Sequence, residues 1–268
     1  MNRLGWSILK SIMVAICQFL LNLPTLTGLA MGAPADQASE YFNFVERVSH
    51  FSPLEHAGSH GTLGIGLGLG MSVYEVAADD GVMQAHWRAP GVSENDNASQ
   101  ARKIYFPRTY FHKGLPGSVD LGVSYGQDPV SKAVLASGYA QWTAFEGFAL
   151  PALAFRGGVT RLMGLATTDS SVLAADIVAS YGFLRLFTVY GTLGQGRYQV
   201  KVRSGESYGT TLSLNGYSEG DLQRISMRAT RSFGAQVQIL PPFCIVALES
   251  SQTGQGPASY LAKISVGM

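Results

Sequence analysis

Charge is scarce in this sequence. Asp, Glu, Lys and Arg make up 14% of its 268 residues, against roughly 25% in soluble domains. The net charge of +1 and the lack of a basic stripe argue against nucleic acid as a partner. Long apolar runs are missing as well: no stretch after residue 36 offers the roughly 20 consecutive apolar residues a membrane helix requires. Cysteine is limited to Cys17 and Cys244. Removal of a leader containing Cys17 would leave one thiol, which excludes an intramolecular disulfide. Glycine, by contrast, is abundant at 32 residues, well above the usual share of about 7%. Mean hydropathy is still +0.13, so the apolar character has to be spread over alternating positions.

The first residues account for part of that hydropathy. Arg3 and Lys10 precede the apolar run Ile12–Leu21, and Ala33-Pro34-Ala35 supplies a small-x-small cleavage pattern. Residues 1–35 therefore read as an export signal. Residues 36–60 follow as a helix and linker. Asp36 is placed to cap the helix, and Tyr41, Phe44, Val45 and Val48 fall on one helical face.

From residue 61 the period changes to two. Leu63, Ile65, Leu67, Leu69, Met71 and Val73 alternate with Gly64, Gly66, Gly68 and Gly70. Val119, Leu121, Val123 and Tyr125 alternate with small or polar residues, and Leu173, Ala175, Ile177, Ala179 and Tyr181 alternate with Ala174, Asp176, Val178 and Ser180. Segments of about 10 residues with one apolar and one small or polar face are the pattern of transmembrane barrel strands. The expectation is an all-β fold: a transmembrane antiparallel β-barrel of about ten strands (eight to twelve) over residues 61–268, with a short N-terminal helix. The connections 112–116, 145–148, 183–184 and Pro241-Pro242 are short, whereas 78–100 and 204–220 are long and polar. With both termini on the periplasmic side, the long connections face outward.

Residues 185–203 carry a further signal. Their outward parity is apolar through Leu193, then turns to Gln195, Arg197, Gln199, Lys201 and Arg203. Such a switch marks where a strand leaves hydrocarbon. Arg197, Lys201, Arg203 and, on the next strand, Arg231 are expected to face lipopolysaccharide phosphates at one level.

The closing run Tyr260, Ala262, Ile264, Val266 and Met268 resembles the C-terminal signal of Gram-negative outer-membrane β-barrel proteins, with Met268 where those proteins usually end in Phe. The resemblance implies residence in the cell outer membrane and insertion by the outer-membrane assembly machinery. Outer-membrane lipid and lipopolysaccharide become the expected partners, and no ligand is identified.

Little chemistry is legible. GLGLG lies within a strand with no helix after it, which excludes a dinucleotide loop, and no cofactor is implied. His50, His56 and His60 gather with Glu55 before the first strand, but a metal needs ligands converging from fixed positions. That segment reads as a linker with solvated histidines, and no metal site is expected. His86 beside Asp79 or Asp80 is the only arrangement suggesting a lipid A-modifying enzyme, and no motif supports it. Asp120, Arg156, Asp176 and Lys263 fall on inward parities, two acids against two bases. They are expected to close a narrow or occluded lumen by salt bridges, with Arg156 and Asp176 nearly opposite. The functional expectation is a non-enzymatic structural or surface-interaction barrel. The alternative is a narrow channel for small or hydrophobic solutes, gated by the helix.

Overall fold

The computed structural model describes residues 37–76, 87, 89–90, 103–147, 150–183, 186–202, 222–240 and 244–267. Residues 1–35, expected as an export signal, and His86, Asp79, Asp80, Arg203 and Met268 lie outside the described residues. Among the described residues, one helix, α1 (Gln37–Ser49), precedes ten strands. They are β1 (Ile65–Glu75), β2 (Lys103–Leu115), β3 (Val119–Gln127), β4 (Val134–Gly147), β5 (Leu150–Met163), β6 (Thr168–Phe183), β7 (Phe187–Val202), β8 (Leu222–Leu240), β9 (Cys244–Thr253) and β10 (Ser259–Gly267). Each pairs antiparallel with its neighbours in sequence, and β1 pairs with β10 to close the barrel. Closure leaves no open sheet edge, the condition for strands to cross a bilayer.

Parity sorts the side chains. Along β1 the residues Ile65, Leu67, Leu69 and Met71 are exposed on the outer surface, while Gly66 and Gly68 face inward. Polar residues such as Ser124, Gln141, Thr160 and Gln236 are buried on the inner face. The barrel is therefore apolar outside and polar within, the reverse of a soluble protein. Short connections such as 116–118, where Gly117 and Ser118 adopt positive φ, lie at one end. The strand ends that bound the long connections 77–102 and 203–221 lie at the other.

The chain before β1 departs from the sequence expectation. The helix plugs the barrel, and residues 50–60, expected as a solvated linker, run on through the lumen. Arg47 donates from Nη1 to Pro257 O (3.3 Å) and from Nη2 to Glu75 O, and Tyr41 Oη meets Thr168 Oγ1 at 2.7 Å. These partners mark the long-connection end, so α1 sits opposite the short-turn side, where a periplasmic N-terminal region would be expected. Tyr41, Phe44, Val45 and Val48 pack there with Phe106, Leu135, Leu162 and Val200 from the inner wall. The polar flank of α1 is buried too, because it meets a polar wall where a surface helix would meet water. Glu46 accepts from Ser226 Oγ (2.7 Å) and Arg228 Nε (2.8 Å), with Arg224 Nε at 3.3 Å.

Residues 50–60 then descend the lumen. Tyr198 Oη lies 3.0 Å from His50 Nδ1, Gln236 Nε2 donates to Leu54 O (2.8 Å) and Gln141 Nε2 to His56 O (3.0 Å). Ala57 N donates to Ser180 Oγ (3.1 Å), and Ser59 N to Glu146 near the short-turn end (3.0 Å). Wall side chains thus satisfy the backbone groups of an extended segment that has no ladder of its own.

Candidate functional site in the lumen

The glycines of β1, with Gly64 just before it, leave room for side chains of the flanking strands β2 and β10 and for His60 of the inserted segment. A Cβ on Gly64 would come within 2.2 Å of His60 O, and one on Gly66 within 2.1 Å of the His112 ring. At Gly68 it would meet Lys263 at 3.2 Å, and at Gly70 it would lie 2.5 Å from Ala262 O and 3.0 Å from Tyr110. Bare backbone on one wall therefore accommodates two histidines, a lysine and a tyrosine.

Those residues form a compact cluster with Glu55. Lys263 Nζ pairs with Glu55 Oε1 and donates to Pro53 O at 3.0 Å. His112 Nδ1 lies 3.4 Å from Glu55 Oε1, and His60 Nε2 lies 3.6 Å from Glu55 Oε2. On its other side His60 Nδ1 is 3.5 Å from Asp120 Oδ1, and the His60 backbone N–H donates to the same oxygen at 3.2 Å. The His60 and His112 rings overlap with centroids 4.1 Å apart, and His56 stands edge-on to His60 at 5.9 Å. Arg156 donates to Glu55 O (2.8 Å) and through two nitrogens to Gln141 Oε1 (3.0 and 2.6 Å).

The lumen charges are thus satisfied differently from the sequence expectation. Arg156 and Asp176 are register partners across β5 and β6, yet the guanidinium turns to Gln141 and the inserted chain. Asp176 instead accepts from Thr230 Oγ1 at 3.2 Å. Among the described residues, Lys263 finds its acid on the inserted segment, and the imidazole beside Asp120 also comes from there. The wall is completed by the plug and does not neutralise itself. The histidines are corrected as well: His50 and His112 are buried, and His56 and His60 are mostly so. Glu249 carries no sequence signal that sets it apart, yet it too belongs to the lumen. It is buried between Ser52 Oγ and Tyr190 Oη, the latter donating at 2.8 Å.

The outer surface places the protein. Leu69, Phe233 and Leu248 are each more than 60% exposed, at 63%, 65% and 61%, around a closed wall with a polar interior. Only a hydrocarbon surround accounts for such a belt on a barrel with buried polar side chains. This is a transmembrane β-barrel.

No known protein family and no curated protein matches the sequence. Among solved structures, the outer-membrane protein Ail of Yersinia pestis in a phospholipid nanodisc is similar at 12% identity and TM-score 0.31, covering 76% of this chain and 99% of that one. The translocator domain of the autotransporter NalP from Neisseria meningitidis is similar at 10% identity and TM-score 0.41, covering 88% of this chain and 99% of that one. Ail in complex with the heparin analogue sucrose octasulfate is similar at 14% identity and TM-score 0.26, covering 76% and 94%.

On the barrel's exterior, Arg197 and Lys201 project outward near the long-connection end of β7. Arg161, on a strand whose sequence shows no comparable polar switch, shares that face across the register Arg161↔Ser171↔Gln199. Arg231 also points outward but, contrary to expectation, not at the same level. It pairs with Leu193, four positions along β8 from Met227, the partner of Arg197. Its guanidinium binds Gln252 Oε1 at 2.9 and 2.6 Å.

Proposed function

We propose that this barrel is a non-enzymatic, closed outer-membrane protein that presents its long connections at the cell surface, with residues 37–60 as a permanent stopper. The observation that carries this reading is the burial of the inserted segment along the lumen, from Tyr41 to Ala57. A channel needs continuous water. Here α1 fills the long-connection mouth with aromatic and aliphatic side chains, and Glu55, Arg156 and Gln141 occupy the middle. Arg161, Arg197 and Lys201 on the outer face suit the phosphates of lipopolysaccharide, and β10 suits recognition by the assembly machinery.

Planar-bilayer recording on the refolded full chain tests the reading. The stopper predicts no unitary conductance, and removal of residues 37–60 predicts steady current from barrels that remain heat-modifiable. Conductance steps in the intact protein would favour the gated-channel alternative, with α1 as gate. A change in lipid A mass on expression would instead reveal an enzyme.

A further inference from the structure

The chemistry of the lumenal cluster is independent of whether the barrel conducts. We propose that Glu55, His60 and His112 form a binding site for one divalent first-row transition-metal ion, zinc being the best fit, with Asp120 as a positioning residue for His60.

Convergence is the first argument. One ligating atom from each of Glu55, His60 and His112 falls in a group with all separations within 4.8 Å. A tetrahedral ion with bonds of about 2.0–2.1 Å holds its donors about 3.4 Å apart. The carboxylate already stands near both rings, with Oε1 3.4 Å from His112 Nδ1 and Oε2 3.6 Å from His60 Nε2. Small side-chain rotations, with no backbone change, would bring the three donors onto one ion.

The surroundings are those of a built site. A metal-bound imidazole is normally held through its other nitrogen by a carboxylate or carbonyl. His60 turns Nε2 to Glu55 and Nδ1 to Asp120, 3.5 Å away. Glu55 is fixed by Arg156, which donates to its carbonyl, and by Lys263, which is paired at Oε1 and leaves Oε2 to face His60. The backbone of Gly66 clears the space for the His112 ring.

The donor set selects the ion. Two imidazoles and one carboxylate suit zinc and its neighbours, whereas calcium and magnesium prefer oxygen alone. Three protein ligands leave a position for water. The His60 side chain is 16% exposed and lies next to Ser59 and Gly61 at the short-turn mouth, so the ion enters from that side.

The experiment uses the full chain without an affinity tag, refolded in detergent after treatment with a chelator. Zinc is titrated calorimetrically, and cobalt(II) serves as an optical probe. The site predicts one zinc per barrel and a tetrahedral cobalt spectrum in the wild type. His60→Gln and His112→Gln, checked as folded by heat-modifiability, should each lose the spectrum. Asp120→Asn should weaken zinc binding about 10–100-fold with the stoichiometry intact. Absence of both zinc binding and a cobalt spectrum in the folded wild type overturns the proposal without reference to any variant. Retention of full affinity in both histidine variants also overturns it, because the metal then binds elsewhere.

Discussion

Glu55 and Lys263, 208 residues apart in sequence, form a buried ion pair that fastens the inserted segment to the strand closing the barrel. Both side chains are almost fully withdrawn from solvent. Such a pair adds little net stability over an apolar replacement, but losing one member strands a charge. Lys263→Met should therefore destabilise the barrel by about 3–5 kcal/mol, while Glu55→Gln combined with Lys263→Met should recover much of that loss. Urea unfolding in detergent, run as a double-mutant cycle, reads the coupling. Additive single effects would show that the two side chains do not interact.

The glycine wall makes a steric prediction. Gly66→Ala places a methyl group 2.1 Å from the His112 ring, whereas a Cβ on Gly157 would meet nothing within 4 Å. Gly66→Ala should lower the unfolding midpoint and shift His112 resonances, and Gly157→Ala should be neutral or mildly stabilising. Equal behaviour of the two variants would remove the space-making explanation for the glycine run.

Glu46 anchors α1 through Arg224, Ser226 and Arg228. Replacing it with Ala removes the hydrogen bonds of a carboxylate to two guanidinium groups, which keep only Asn43 Oδ1 and Ser39 O on the helix. A local cost of about 2 kcal/mol corresponds to roughly 30-fold more frequent opening. Hydrogen exchange of amides 41–48 should accelerate by that factor while the β-strand amides stay protected. Uniform acceleration over the whole barrel would instead mean that α1 opens only with global unfolding.

Depth dependence tests the membrane placement. Ile177 lies in the outer apolar belt at the middle of β6, while Gln199 lies on the basic stretch of β7. Ile177→Arg should cost about 2–4 kcal/mol in lipid vesicles and Gln199→Arg about 0–1 kcal/mol. A reversed order would place the hydrocarbon band elsewhere on the wall.

Much of the architecture is legible in the sequence because a barrel strand carries its own environment in a period of two. Leu67 and Gly68 belong on opposite faces whatever their partners are, and Arg156 and Asp176 can be matched by counting around the hairpin. Levels around the wall are less secure, since a register depends on where each strand begins. Parity alone sets Arg231 beside Arg197, although it pairs with Leu193. The inserted segment is legible only in part: the apolar face of α1 suits a plug or gate, but the path of residues 50–60 does not show. His50, His56 and His60 carry no period, and the polar flank of α1 reads equally as facing water or facing a polar wall.

The alternation, the count of about ten strands and the inside-out distribution of polarity follow from the chain alone, because each rests on residues adjacent in it. The path of residues 37–60 through the lumen, which brings Glu55 and His60 to His112, Asp120 and Lys263, was settled by folding in three dimensions. Those contacts join positions far apart in the chain, and they form only where closure of β1 on β10 creates an enclosed polar space with a bare glycine wall.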